Sequence, residues 1–354
     1  MNMEFMEALE QIALEKGITK EVLLETIEAA LISAYKKNFG SVQNVRVTID
    51  RETGEVKVFS RKDIVEEIQD DRIEVSVEEA KKFDPRYEAG DVLEQEVTPK
   101  DFGRIAAQTA KQVVVQRIRE AERNLVYEEF RSREGDIITG MVQRQEQKNV
   151  FIDLGKIEAV LGPTEQIPDE VYHMGDRLKT YVVEVKKTTK GPQVVVSRTH
   201  PGLLKRLFEL EVPEIYDGVV EIKSTAREAG FRSKIAVYSQ NDDVDPIGAC
   251  VGPKGSRVQT IVTELKGEKI DIVKWDSDPA KFVANALSPS KVISVDINEE
   301  EKIARVVVPD HQLSLAIGKE GQNARLSAKL TNWKIDIKSE SQANSENDEV
   351  IEII

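Results

Sequence analysis

Two short turns carry the residues of this chain whose types and spacing are best suited to chemistry. Each turn has two glycines separated by two residues and includes a lysine: Val251-Gly252-Pro253-Lys254-Gly255 and Ile317-Gly318-Lys319-Glu320-Gly321. Glycines let a backbone approach a sugar-phosphate chain closely, and a lysine adds a charge-assisted contact to a phosphate. A helix that begins at such a turn also offers free N–H groups and the positive end of its dipole. The pattern therefore indicates phosphate binding.

The chemistry indicated is holding a phosphate and not cleaving it. Neither turn has the Gly-x-x-x-x-Gly-Lys-Ser/Thr pattern, so no hydroxyl is placed for Mg²⁺. Arg257 and Arg325 lie just after the turns, where they would reach the same nucleic-acid strand, whereas Glu320 is unfavourable beside a phosphate. We therefore expect the two turns to contribute unequally. The predicted binding residues of the turns are Gly252, Pro253, Lys254, Gly255, Arg257, Gly318, Lys319, Glu320, Gly321 and Arg325.

The two turns belong to an internal repeat. The turn recurs after 66 residues, and Lys269-Ile270-Asp271-Ile272 recurs after 65 residues as Lys334-Ile335-Asp336-Ile337. Both copies predict the order α-β-β-α-α-β. The elements of the first copy are helix 203–210, strands 219–222 and 234–238, a helix ending at 251, helix 257–265 and strand 269–275. Those of the second copy are helix 279–287, strands 291–297 and 304–308, helices 313–317 and 323–330, and strand 333–337. A Gly-x-x-Gly turn between two helices of such a unit is the K-homology (KH) arrangement, which clamps single-stranded nucleic acid by its backbone. One such turn is a weak signal, but two in matched contexts favour RNA binding.

A different period governs residues 132–200. Short runs with apolar residues at every second position are broken by Gly and Pro, as in a small barrel of the OB type. In the run 149–154, alternation directs Val150, Ile152 and Leu154 inward and leaves Phe151 on the outer face. We predict that Phe151 either stacks on an RNA base or packs against a neighbouring domain.

The first 131 residues predict an α/β domain. Leu23, Ile27 and Leu31 have helical spacing after Thr19, and alternation on either side of residues 51–54 indicates a β-hairpin. A long helix is predicted over 101–131, with an apolar stripe of Val114, Ile118, Ala121 and Leu125. The expected fold is thus α+β and multidomain: 1–131 with the long helix, the barrel 132–200, KH units 201–276 and 277–340, and an acidic disordered tail 341–354.

Composition excludes several classes of protein. The single cysteine, Cys250, excludes an internal disulfide framework and is expected to be a buried packing residue, and three scattered histidines assemble no zinc-ligand spacing. We expect no metal, no cofactor and no catalytic residues. No run approaches the roughly 20 apolar residues of a membrane span, and no export signal precedes residue 10, so a cytoplasmic protein without membrane contact is expected.

The net charge of -14 would argue against a nucleic-acid partner if it were spread evenly. Residues 1–125 carry 19 basic and 26 acidic side chains (-7), 126–200 carry 11 and 12 (-1), 201–338 carry 20 and 21 (-1), and 339–354 carry none and five (-5). The segment with the repeats is therefore close to neutral, and the acidic average of the chain does not veto a local basic groove there.

Several motifs together resemble the NusA family of bacterial transcription factors. They cover the chain up to about Ser339: Asp101-Phe102-Gly103-Arg104-Ile105-Ala106-Ala107-Gln108, Glu211-Val212-Pro213-Glu214-Ile215, Ala226-Arg227-Glu228-Ala229-Gly230, Asp245-Pro246-Ile247-Gly248-Ala249-Cys250-Val251-Gly252 and Gln312-Leu313-Ser314-Leu315-Ala316-Ile317-Gly318. Leu161-Gly162-Pro163 departs from the usual Leu-Pro, and the resemblance is to a short form without C-terminal acidic repeats.

The resemblance implies a non-enzymatic elongation factor. Its N-terminal domain would bind the core RNA polymerase, and an S-one-type OB domain and two KH domains would bind nascent single-stranded RNA. It would promote pausing and intrinsic termination and take part in antitermination with other Nus factors, as a monomer. An accessory factor of RNA decay or of ribosome maturation is the alternative, since KH and OB modules also occur there.

Overall fold

The computed structural model describes residues 3–39 and 44–344. It divides into two compact units, residues 1–125 and residues 126–354. The fold class predicted from the sequence is confirmed: an α/β N-terminal domain is followed by an OB-type barrel and two KH units.

The first unit packs helices against a mixed sheet. Its elements are α1 (Met3–Lys16), α2 (Lys20–Phe39), β1 (Asn44–Ile49), β2 (Val56–Val65), β3 (Glu74–Ser76), α3 (Val77–Ala80) and β4 (Val92–Glu96). Leu23, Ile27 and Leu31 are fully buried in its core, and the predicted hairpin is the β1–β2 pair. Asp50 closes the turn of this hairpin by accepting a hydrogen bond of 2.7 Å from the Thr53 N–H. The helix α1, with Met6, Leu9 and Ala13 buried, was not among the predicted elements.

The long helix α4 (Phe102–Arg131) has the predicted bounds to within one residue. Phe102, Ala106, Ala110 and Val114 are buried in the core of the first unit. Leu125, the last residue of the predicted apolar stripe, is 63% exposed, because the stripe no longer faces a core there. The last turn of α4 belongs to the second unit, where Phe130 is buried in the barrel.

The barrel has five strands: β5 (Ile137–Glu146), β6 (Asn149–Asp153), β7 (Glu158–Leu161), β8 (Arg177–Thr188) and β9 (Gly191–Ser197). They close in the order β5-β6-β7-β9-β8, and a short 3₁₀ turn (Pro163–Glu165) follows β7. Val150 and Ile152 fill the interior as predicted from alternation, while Leu154 is half-buried.

The first KH unit comprises α5 (Pro201–Glu211), α6 (Pro213–Tyr216), β10 (Val220–Glu228), β11 (Arg232–Ser239), α7 (Pro246–Val251), α8 (Ser256–Glu264) and β12 (Lys269–Lys274). The second comprises α9 (Pro279–Ala286), β13 (Ser294–Asn298), β14 (Ile303–Val308), α10 (Leu313–Ile317), α11 (Gln322–Thr331) and β15 (Lys334–Ser339). In both, the first two strands are antiparallel and the last two are parallel. The main differences from prediction are that β10 runs six residues further, to Glu228, that β13 starts at Ser294, and that α6 is added.

The two KH units share a hydrophobic cluster. Ala226, Ala236 and Val273 of the first sheet pack with Phe282, Ala286, Leu326 and Leu330 of the second unit. A polar tether reinforces the contact, since the buried Lys234 Nζ donates to the Ser288 carbonyl at 2.8 Å and lies 3.1 Å from Asp271. Burial lowers the pKa of Lys234, and the charge of Asp271 opposes that shift. The pair is therefore one packed body, which the short connection at 276–279 did not by itself establish.

Within residues 3–39 and 44–344, no helix combines the length and apolar composition needed to cross a bilayer. The His, Cys, Asp and Glu side chains of the same residues form no group of three or more suited to hold a metal ion. Residues 341–344 of the predicted disordered tail are helical, and the remainder of that tail lies outside the described residues.

Candidate nucleic-acid interface

The two Gly-x-x-Gly turns have the same backbone conformation. The first glycine has φ/ψ of 73°/175° at Gly252 and 78°/169° at Gly318. The third residue is left-handed in both, with φ of 52° at Lys254 and 54° at Glu320. The last glycine is left-handed as well, at Gly255 and Gly321. The repeat detected in the sequence is therefore a repeat of turn geometry.

The first glycine of each turn is required by space as well as by conformation. A Cβ on Gly252 would lie 2.6 Å from Arg257 Cγ, and a Cβ on Gly318 would lie 2.8 Å from the backbone nitrogen of Asn323. By contrast, a Cβ on Gly255 meets nothing within 4 Å, and one on Gly321 meets only Arg325 Nη1 at 3.8 Å. The last glycine thus keeps one side of the turn open, where a sugar-phosphate backbone would approach.

A helix begins directly at each turn, and no side chain among residues 3–39 and 44–344 caps it. Gly255 is the N-cap of α8 and Gly321 is the N-cap of α11, and neither helix receives a side-chain hydrogen bond there. The first N–H groups of a helix have no partner within the helix. They are therefore available to an anion, together with the positive end of the helix dipole.

The two turn lysines, Lys254 and Lys319, are exposed, and neither forms an ion pair within the described residues. They occupy different places, however, because Lys319 is the second residue of its turn and Lys254 is the third. Glu320 stands in the second turn where Lys254 stands in the first. The two turns thus differ in charge at both central positions, because Pro253 corresponds to Lys319 and Lys254 corresponds to Glu320.

The arginines predicted to reach the RNA are held by protein groups. Arg257 Nη1 donates to the Ala249 carbonyl at 2.6 Å and to Glu214 Oε2 at 2.8 Å, and its side chain lies beneath Gly252. Arg325 Nε donates to Glu228 Oε1 at 2.7 Å, and its Nη1 donates to the Glu320 carbonyl at 3.0 Å. Through these hydrogen bonds, both arginines stabilise the turns. A direct contact of either with RNA stays a prediction.

A groove of about 750 Å³ runs between the two KH units. The β10–β11 turn and the start of β12 form one side, with Phe231 and Lys269, and the second Gly-x-x-Gly turn forms the other, with Gly318, Lys319 and Glu320. Its size is in the usual range of ligand pockets. Phe231 and Lys269 were not among the binding residues predicted from the sequence, although an aromatic residue directly after Ala229-Gly230 is a signal for an exposed ring on a turn.

Phe151 lies on the outer face of the barrel, and its ring is partly covered by another side chain. The Arg144 guanidinium lies 4.1 Å from the ring centroid, and Arg144 forms a bidentate ion pair with Glu158. The ring also borders a shallow groove with Lys190 and Gly191. An incoming base would have to use that side or displace Arg144, so the role of Phe151 in stacking stays a prediction.

The cysteine and one histidine contribute to the structure of the protein. Cys250 is fully buried in α7, and burial raises the pKa of its thiol to about 12. His200 caps α5 by accepting a hydrogen bond of 3.0 Å from the Gly202 N–H, and its ring stacks on Tyr181. His173 and His311 are exposed.

Four domain families match consecutive parts of the chain. The NusA N-terminal domain matches residues 4–124, and the S1 RNA binding domain matches residues 131–197. The NusA-like first KH domain matches residues 198–275, and the NusA-like second KH domain matches residues 279–345.

The chain is also similar to curated proteins over nearly its whole length. Transcription termination/antitermination protein NusA of Halalkalibacterium halodurans is 68% identical over 97% of this chain and 90% of its own length. The protein of the same name from Bacillus subtilis is 67% identical over 97% of this chain and 92% of its own length. The one from Thermus thermophilus is 44% identical over 99% of this chain and 93% of its own length.

Proposed function

The chain belongs to the NusA family of transcription termination/antitermination proteins, and from this membership we propose that it binds RNA polymerase and nascent RNA at the same time. In this role it promotes pausing and termination at intrinsic terminators and takes part in antitermination with other Nus factors. It acts by binding, without a chemical step of its own.

The observation that carries the proposal is the pair of equivalent turns with free lysines in one packed body. Each turn offers an open backbone, helical N–H groups and one lysine, Lys254 or Lys319, and within the described part of the chain these N–H groups are uncapped and these lysines unpaired. Because the KH units share a hydrophobic cluster, the turns are fixed relative to each other. Linked sites of this kind gain avidity, since the second contact is intramolecular.

The proposed division of labour follows the domain boundaries 131, 200, 276 and 340. Residues 1–131 bind the polymerase, the barrel from 132 to 200 contacts the RNA through Phe151, and the KH units from 201 to 276 and from 277 to 340 clamp it. The acidic balance of -7 over residues 1–125 makes that part the less suited to RNA and supports assigning it to a protein partner.

The lysine contacts predict a specific change in salt dependence. Replacing Lys254 and Lys319 together by Asp should weaken binding of a single-stranded RNA, because two phosphate contacts are lost and two negative charges are added. The slope of log K against log salt should become shallower by at least about 1.4, at roughly 0.7 for each phosphate on a single strand. Fluorescence anisotropy of a labelled RNA over a salt series measures both quantities.

A matched control is Lys36→Asp with Lys37→Asp, because both lysines are exposed at the end of α2 in the first unit. This variant has the same change in net charge, and it should retain the wild-type slope. Wild-type affinity and slope in the Lys254/Lys319 variant would remove the clamp from the proposal.

A further inference from the structure

Phe231 is an exposed aromatic ring at the tip of the β10–β11 turn. It is 56% exposed and belongs to none of the hydrophobic clusters formed by the described residues. A ring left in water gives up the free energy of burial, so its place in the fold is not explained by packing. It lines the groove that faces the second Gly-x-x-Gly turn.

The turn that carries Phe231 is held rigidly. The Phe231 N–H donates to the Glu228 carbonyl at 3.0 Å, and the Phe231 carbonyl accepts from the Lys269 N–H at 3.1 Å. The neighbouring Gly230 N–H donates to the buried Glu268 carboxylate at 3.0 Å. A Cβ on Gly230 would lie 2.6 Å from Ile167 Cγ2, so the tip also packs closely against the barrel domain. The ring is therefore presented on a preorganised support.

The same turn is tied to the second KH unit. Glu228 accepts hydrogen bonds from Arg325 Nε at 2.7 Å and from Gln322 Nε2 at 2.9 Å, and both donors lie on α11, the helix that begins at the second turn. The hydrogen bonds of Arg325 and Gln322 lower the pKa of Glu228 and so favour the charged carboxylate. This link fixes the distance between the ring of Phe231 and the phosphate-binding backbone of Gly318–Gly321.

The charges around the ring suit a nucleotide. Lys269 and Lys319 are exposed on opposite sides of the groove and form no ion pair within the described residues. Arg232 in contrast is paired with Asp271 at 2.8 Å. A groove with an exposed ring and two unpaired lysines offers a π-face to a base and cations to the phosphates on either side of it.

We propose that Phe231 is a stacking platform for one nucleobase of the RNA strand that the second turn clamps. The inference rests on the proposed function and adds a residue of the first KH unit to the site of the second. Because every base has a π-face, the platform accepts any base, and it compensates for the unfavourable Glu320 in the second turn.

The test compares Phe231→Ala with Phe231→Tyr, using a short oligoadenylate RNA that carries one 2-aminopurine at varied positions. Stacking quenches 2-aminopurine fluorescence. With wild-type protein, quenching should peak at one position. Phe231→Ala should abolish that peak and weaken affinity roughly 5- to 150-fold, the equivalent of losing one base stack. Phe231→Tyr keeps the ring and should retain both properties.

Phe83→Ala is the matched control, because Phe83 is 63% exposed in the first unit. It should leave the affinity and the quenching unchanged. If Phe231→Ala binds and quenches as the wild type does while the Lys254/Lys319 variant fails to bind, the platform is refuted and the clamp stands. If the wild-type protein binds no RNA, the platform and the proposed function both fall.

Discussion

At the scale of residues, the two glycines of each turn have different tasks. Gly318 has φ/ψ of 78°/169°, a region that only glycine adopts readily, and it is also crowded by Asn323. Gly321 is left-handed with φ of 75°, which an L-residue can adopt at moderate cost, and its surroundings are open. The first glycine therefore maintains the fold, and the last leaves the proposed RNA path clear.

Because of this difference, we expect substitution of Gly318 to reduce mainly the stability of the KH pair and substitution of Gly321 to reduce mainly RNA binding. Gly318→Ala should lower the free energy of unfolding of the KH pair by about 3 kcal/mol or more, from backbone strain plus the clash. Gly321→Ala should cost only about 1–2 kcal/mol in stability, yet it should weaken RNA binding because its Cβ enters the open side. Both tryptophans, Trp275 and Trp333, lie in the KH pair, so tryptophan fluorescence in urea reports on that pair. Equal destabilisation by the two variants would contradict the assignment.

The chemistry of the turns was predictable from local sequence, but the partners of the arginines were not. The Gly-x-x-Gly spacing and the periodicity around it indicated the turns and the helices that follow them. Arg257 meets Glu214, which lies 43 residues earlier, and Arg325 meets Glu228, which lies 97 residues earlier. Such pairs depend on tertiary packing, and no periodicity in the sequence records them.

At the scale of elements, a buried ion cluster joins the barrel to the first KH unit. Arg198, at the end of β9, is fully buried, and its Nη2 donates to Glu170 Oε1 at 2.5 Å and to the Glu264 carbonyl of α8 at 3.1 Å. Its Nη1 also donates to the Lys179 carbonyl at 2.9 Å. The guanidinium thus fixes the barrel against the helix that begins at the first Gly-x-x-Gly turn.

Removing this guanidinium should destabilise the second unit strongly. Arg198→Met leaves the buried Glu170 carboxylate without its counterion, which typically costs about 3–5 kcal/mol. In differential scanning calorimetry, the transition of the second unit should fall by about 10 °C, at roughly 2–4 °C per kcal/mol. Glu170→Gln in the same chain removes the stranded charge and should restore part of the loss. A shift of less than about 2 °C in the single variant would show that the cluster contributes little.

The order of helices and strands could be predicted from the internal repeat and the hydrophobic periodicities. Where a predicted element differs from the structure, the difference has a physical reason. The helix α4 was predictable because thirty residues run without proline. The strand β10 was underestimated because its second half, Lys223 to Glu228, is mostly polar, and its pairing with β11 is interrupted by a bulge after Ile222. The cluster that joins the KH units combines alanines and leucines from elements far apart in sequence, so the sequence could not show it.

At the scale of the whole molecule, the charge of -14 is distributed unevenly along the chain. The KH pair is close to neutral, and its unpaired turn lysines stand against structural arginines that are already neutralised by carboxylates. RNA affinity should therefore come from short-range contacts at the two turns and at Phe231, and not from a broad positive field. The first unit is acidic and carries the proposed contact with the polymerase.

The central claim is that this protein acts on transcription by holding nascent RNA at the two turns while bound to the polymerase. The most direct test is single-round transcription with purified polymerase on a template with an intrinsic terminator. The wild-type protein should raise the fraction of terminated transcripts. The Lys254→Asp, Lys319→Asp variant should co-purify with the polymerase through residues 1–125 but lose most of that stimulation. A variant that binds the polymerase and stimulates termination as fully as the wild type would contradict the account.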